Sequence, residues 1–213
     1  MKGYTMRKLI ISSLIAISFS LSAQVRLDKP EMYIGANVGV TESMVMFNPA
    51  VTQSFLMGLN GGFVFRYIAE KNVGMQAELN FSQRGWKEAN GLYSRQLNYI
   101  ELPFLTHIYV GRKNRVFFNI GPKISYLISE KVLANSSAVT TDLQHITSIQ
   151  HPFDYGLCTG LGLLFNIGGN IYQLDTRANY SLSDVFNDQK KDYFANSNNF
   201  NLSVNLAWLL KVK

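Results

Sequence analysis

The residues of this chain that could do chemistry are few, and their spacing limits what they can be. His107, His145 and His151 show no i, i+4 pair and no cysteine partner, which is not the spacing of a zinc site. His145 and His151 share one long polar segment with Asp142; surface metal capture there has no further support. Gly160-Leu161-Gly162 lacks the third glycine and the following helix of a dinucleotide-binding turn. Cys158 is the one cysteine, so no internal disulfide can form. Among glycines it reads as a small buried thiol and not as a nucleophile. No Ser/His/Asp spacing fits a nucleophile elbow. The chain is therefore expected not to be an enzyme, and to need no cofactor and no metal.

What remains is a set of charges on the polar side of alternating segments: Arg66, Glu78, Glu101, Lys123, Asp154, Asp175 and Arg177. Buried charges are tolerated when paired and hydrogen-bonded. Three cations against four anions is close to balance, so these residues are expected to form a static polar core. Arg66, Glu78, Glu101 and Lys123 lie on successive segments and are expected to converge.

The elements that would hold these side chains are strands. In the C-terminal stretch Asn198–Lys213, Phe200, Leu202, Val204, Leu206, Trp208 and Leu210 alternate with Asn199, Asn201, Ser203, Asn205 and Ala207. A period of two is a strand with one apolar and one polar face. About 11 residues at roughly 3.3 Å each give about 36 Å, enough to cross a bilayer core of about 30 Å at a tilt. Strands of soluble sandwiches run to about 5–6 residues. Seven more such segments precede it: Met32–Thr41, Phe55–Ile68, Val73–Arg84, Leu97–Val110, Arg115–Ser129, Phe153–Ile167 and Ile171–Ser183.

The connections alternate in length. Ala69–Asn72, Gly111–Asn114 and Gly168–Asn170 are tight turns, whereas Glu42–Ser54, Gly85–Gln96, Glu130–Pro152 and Asp184–Ser197 are long and mostly polar. Strand parity puts all the short turns at one end and all the long segments at the other, the asymmetry of an outer-membrane barrel. The polar face carries Gly35, Gly39, Gly58, Gly62, Gly121, Gly156, Gly160 and Gly162. Glycines suit the narrow interior of eight strands, which leave room for side chains and not for a channel. The expected fold is all-β: an eight-stranded antiparallel transmembrane β-barrel with short periplasmic turns, long extracellular loops, a polar lumen and an apolar lipid face. Leu79, Phe104 and Leu206 are expected to face lipid near mid-membrane. Tyr33, Tyr67, Phe153, Tyr180 and Trp208 are expected at the aromatic girdles.

The beginning of the chain sets the compartment. Met6-Arg7-Lys8, the run Leu9–Leu21 and the small pair Ser22-Ala23 have the layout of a secretory signal peptide. Residues 1–23 are expected to be removed, leaving one barrel domain over 24–213. No cysteine stands at the cleavage point, so the pattern is not that of a lipoprotein. The formal charge of +6 falls to +3 when Lys2, Arg7 and Lys8 leave, too weak a balance to imply nucleic acid. Aromatics at 13 % and 16 glycines beside only 16 % charged residues suit an all-β membrane protein.

Tyr99-Ile100-Glu101-Leu102-Pro103-Phe104-Leu105 is similar to the Y-[IL]-E-[IL]-P-L-L segment of PorT-like outer-membrane β-barrel proteins of Bacteroidetes-type bacteria. Gly35–Gly39, Ala77–Gly85 and Asn119-Ile120-Gly121-Pro122 are also similar to segments of that family. The resemblance covers roughly Met32 to the C terminus and implies an outer-membrane barrel with a role in assembling the type IX secretion machinery. The chain departs from many outer-membrane barrels in ending Leu209-Leu210-Lys211-Val212-Lys213, without a terminal aromatic; Trp208 stands nearest the end.

Two functional classes follow. One is a structural or interaction barrel of the cell envelope, linked through the resemblance to type IX secretion, with outer-membrane lipid and an envelope or secretion-machinery protein as partners. The other is a small transport or adhesion barrel that binds a solute, ion or host surface through its extracellular loops. The segment Glu130–Pro152, with Leu133, Val139, Leu143 and Ile146 among polar residues, is the candidate partner-binding loop.

Overall fold

The computed structural model describes residues 26–135, 148–186 and 195–212. The expected signal peptide, His145, Asp142 and the part of the candidate partner loop over 136–147 lie outside the described residues. The strands are β1 (Arg26–Asn48), β2 (Gln53–Ser54), β3 (Leu56–Glu70), β4 (Val73–Glu88), β5 (Tyr93–Gly111), β6 (Asn114–Asn135), β7 (Phe153–Ile167), β8 (Asn170–Asp184) and β9 (Asn196–Lys211). Each long strand pairs antiparallel with its neighbours in the sequence, and β9 closes the ring on β1 from Tyr33↔Lys211 to Asn48↔Asn196. The two-residue β2 adds to the top of β4. The result is an eight-stranded antiparallel barrel, as the alternation requires.

The stagger of the ring follows from its register. Stepping from Met32 across Tyr67, Met75, Thr106, Ile120, Thr159, Ala178 and Leu202 returns to β1 at Glu42. The shear is therefore 42 − 32, or ten residues. Eight strands with a stagger of this size tilt by about 35–45° and enclose an interior that side chains fill.

Local chemistry sets the short ends. Asn72 takes a φ of 73° in the β3–β4 turn, and Gly168 and Gly169 take 62° and 86° in the β7–β8 turn. These left-handed conformations are the ones Asn and Gly adopt at least cost. Gly121 has a different reason: a Cβ there would collide with the Phe104 carbonyl of the neighbouring strand.

The faces sort as the alternation predicts. Leu79, Phe104 and Leu206 point outward and are about half exposed, whereas the glycine- and asparagine-rich positions point into the lumen. Two expectations are corrected. Tyr33 is buried in the lumen and is no girdle residue; it shares the parity of Asn37, so its nearness to a strand end misleads. The strands also climb further at the extracellular end than the lipid-facing alternation reaches. β1 continues to Asn48, β4 to Glu88, β5 begins at Tyr93 and β6 reaches Asn135, inside segments expected as loops. Above the lipid the outer face is wet, so the apolar–polar signal fades while the interstrand hydrogen bonds continue.

Candidate functional site

The lumen is built in layers, each from residues of one parity. At the periplasmic end Tyr33, Val64, Ile68, Tyr109, Phe117, Leu164, Ile171, Ala207 and Leu209 form one buried apolar cluster. His107 stacks between Tyr109 and Phe117 at 5.5 and 5.2 Å between ring centres, and its Nδ1 lies 2.7 Å from Asn119 Oδ1. This layer closes the barrel from below.

Above it lies a first polar layer. Arg177 Nη1 donates to Glu78 Oε2 at 2.7 Å, and Arg177 Nε binds Asp175. Glu78 also accepts from Asn80 at 2.7 Å, from Asn37 at 3.2 Å and from Gln76. Arg66 donates through Nε to Gln76 Oε1 at 2.8 Å and through Nη2 to Gln173, whose amide in turn donates to Asp175 at 3.2 Å. Arg66 is thus held by two neutral amides and not by Glu78 directly.

The second polar layer centres on Arg84. Its guanidinium binds Glu101, donates to Asp154 Oδ2 at 2.9 Å and to Ser125 Oγ at 2.9 Å, and lies 4.3 Å above the Tyr99 ring. Lys123 Nζ is 3.8 Å from Glu101. Asp154 further accepts from Ser181 at 3.0 Å and Ser183 at 2.7 Å. The expected convergence of Arg66, Glu78, Glu101 and Lys123 therefore resolves into two layers, with Arg66 and Glu78 in the lower and Glu101 and Lys123 in the upper.

Arg84 is the residue that the sequence reading missed. It has the parity of Glu78, and extending that alternation two residues past Ser82 would have placed it inside. With it, Arg66, Arg84, Lys123 and Arg177 face Glu78, Glu101, Asp154 and Asp175, all buried. Four cations thus balance four anions, the condition under which a charged core is tolerated.

The extracellular end is closed by a second apolar cluster: Val45, Phe47, Trp86, Tyr93, Leu97, Tyr99, Val185 and Phe186. Trp86 is its centre, packed edge-on to Phe47 at 5.6 Å and to Phe186 at 6.2 Å. These residues fall largely in segments expected as loops. The signal that could have found them is the hairpin dipeptide Asn90-Gly91 flanked by Trp86 and Tyr93, with Gly91 at a φ of 72°. Cys158 is buried among inward glycines, and His151 lies at the exposed end of β7. Among the described residues no three His, Cys, Asp or Glu side chains cluster as metal ligands do.

A ring of this topology, with its polar side chains turned in and its apolar ones turned out, is that of a membrane barrel. Residues 22–187 match the outer membrane protein beta-barrel domain family. The chain belongs to that family. Its barrel is accordingly an outer-membrane one, and the long connections face the cell exterior. No curated protein matches the chain. Solved structures similar to this family member include Ail, the attachment invasion locus protein of Yersinia pestis, in complex with the heparin analogue sucrose octasulfate (14 % identity, 84 % of this chain and 99 % of that one, TM-score 0.45). Neisserial surface protein A is also similar (11 %, 84 % and 98 %, TM-score 0.47), as is OprG from Pseudomonas aeruginosa (11 %, 88 % and 94 %, TM-score 0.46). In this member of the outer membrane beta-barrel family, the segment Tyr99–Leu105 lays Tyr99 under Arg84 and turns Glu101 to Arg84 and Lys123. Its most distinctive side chains therefore serve the lumen.

Proposed function

We propose that this protein is a closed structural or interaction barrel of the cell envelope, working through its extracellular rim and outer surface and not through its lumen. The packing of the lumen carries this reading: an apolar layer at each end, with four buried cations balanced by four buried anions between them. A barrel filled in this way has the outside of its wall and its rim left to act with. In the finer form of the reading the partner belongs to the type IX secretion machinery, which rests on the likeness of Tyr99–Leu105 to PorT-like proteins. No catalytic role and no cofactor are proposed.

The test is to crosslink whole cells, extract the barrel in mild detergent and identify what copurifies, beside planar-bilayer recordings of the pure protein. A stoichiometric envelope partner with a silent bilayer is the expected result. Stepwise conductance, or solute uptake by proteoliposomes, would overturn the proposal in favour of a transport barrel.

A further inference from the structure

Among the described residues the outer belt of the barrel carries aliphatic and aromatic side chains and a few threonines, and no charge. Glu42 points outward from β1, between Val40 and Met44 on its own strand, opposite Met57 on β3 and Leu202 on β9. Among the described residues it is the lowest outward charge at the extracellular end of that belt. The neighbouring row Met44, Phe200 and Tyr180 marks the extracellular aromatic level. Because the rows climb around the tilted ring, Phe200 and Tyr180 stand within about one residue of Glu42 in height, so Glu42 itself lies at that aromatic, head-group level. From there the carboxylate faces the lipid head groups, with the hydrocarbon belt below it.

Glu42 is also not isolated in space. It stands at one end of a groove of about 570 Å³ that runs across the strands from Met57 and Leu202 toward Phe118. The floor is low because Thr159, Thr176 and Ala178 are small, and the Thr176 hydroxyl is turned to the Leu161 carbonyl at 3.4 Å. What the floor presents is therefore mainly hydrocarbon. A groove of this volume is of the size that buries one small-molecule ligand.

We propose that this groove binds an outer-leaflet lipid with an amine head group, one acyl chain lying along the small-residue floor and the ammonium paired with the Glu42 carboxylate. Charge complementarity selects this occupant. An anionic head group would meet a carboxylate of its own sign. A second copy of the barrel offers no counter-charge, since among the described residues no outward cation stands at that level. An ammonium donates hydrogen bonds to a carboxylate, whereas a quaternary choline has none to give.

The mature barrel would be reconstituted in nanodiscs containing equal amounts of phosphatidylethanolamine, phosphatidylglycerol and phosphatidylcholine with the same chains. The lipids that stay bound would then be read by native mass spectrometry. Phosphatidylethanolamine should be retained over both others, and Glu42→Gln should reduce that preference roughly tenfold, the loss expected when one charge-assisted hydrogen bond is removed. Ala178→Phe, which fills the floor from outside, should release all three lipids equally, with heat-modifiable gel mobility confirming that the barrel is folded. Equal retention of phosphatidylethanolamine by wild type and Glu42→Gln would overturn the proposal. So would enrichment of phosphatidylglycerol, or a dimer in wild type that Glu42→Gln alters.

Discussion

Arg84 and Arg66 are both buried guanidinium groups in the same lumen, yet they are held in different ways. Arg84 serves two carboxylates, a serine and an aromatic face, whereas Arg66 bridges two amides. Arg84→Ala leaves Glu101 with only the more distant Lys123 and strips Asp154 of its cation. Breaking a buried pair in this way costs about 3–5 kcal/mol. Arg66→Ala leaves unpaired amide oxygens, for which about 1–3 kcal/mol is the usual scale. Urea titration followed by heat-modifiable mobility should rank Arg84→Ala below Arg66→Ala, with the exposed control Lys131→Ala near wild type. If Arg84→Ala and Lys131→Ala unfold at the same urea concentration, the upper layer is not what holds the barrel. Glu78 is likewise ion-paired with Arg177 and not with Arg66.

At the scale of the strand, the outward residues define a hydrocarbon belt, and depth within it sets the cost of a charge. Leu206 lies opposite Val38 on β1 and Leu174 on β8, while Leu210 is next to Lys211 at the periplasmic edge. Leu206→Arg should cost roughly 2–4 kcal/mol and Leu210→Arg about 0–1 kcal/mol. Equal folding yields of the two variants in lipid vesicles would mean that the belt has been placed at the wrong height. These elements were legible in the sequence because lipid on one side and a polar lumen on the other enforce strict alternation. All eight long strands were found that way, and β7 to the residue. The upper reaches of β1, β4, β5 and β6 were not, because no lipid patterns their outer face there. Trp86 was lost for the same reason; Arg84 lay inside the expected strand Val73–Arg84, but the inward alternation was followed only to Ser82. Lumen partners were harder still: parity says that Arg66 and Glu78 both point inward, but only the shear of ten residues decides that Glu78 meets Arg177.

For the whole molecule, the ion pairs reach across the ring. Glu78 on β4 is paired with Arg177 on β8, and Arg84 on β4 with Asp154 on β7. A chain cut in the β5–β6 turn between Arg112 and Lys113 therefore leaves Glu78, Arg84 and Glu101 on one fragment and Asp154, Arg177 and Lys123 on the other. Neither fragment alone should become heat-modifiable or protease-resistant in vesicles, and the two refolded together should recover both properties. Independent insertion of either half would show that the pairs are dispensable. These cross-ring pairs bear on the order of assembly. A growing sheet that entered the hydrocarbon strand by strand would hold bare carboxylates and guanidinium groups in a medium of low dielectric until β7 and β8 arrived. Neutralisation of the interior requires β4 to lie across from β7 and β8, so curling of the sheet is favoured before the middle of the barrel passes into lipid. The charges that fill the finished barrel thus make an unfinished one costly to hold in the bilayer.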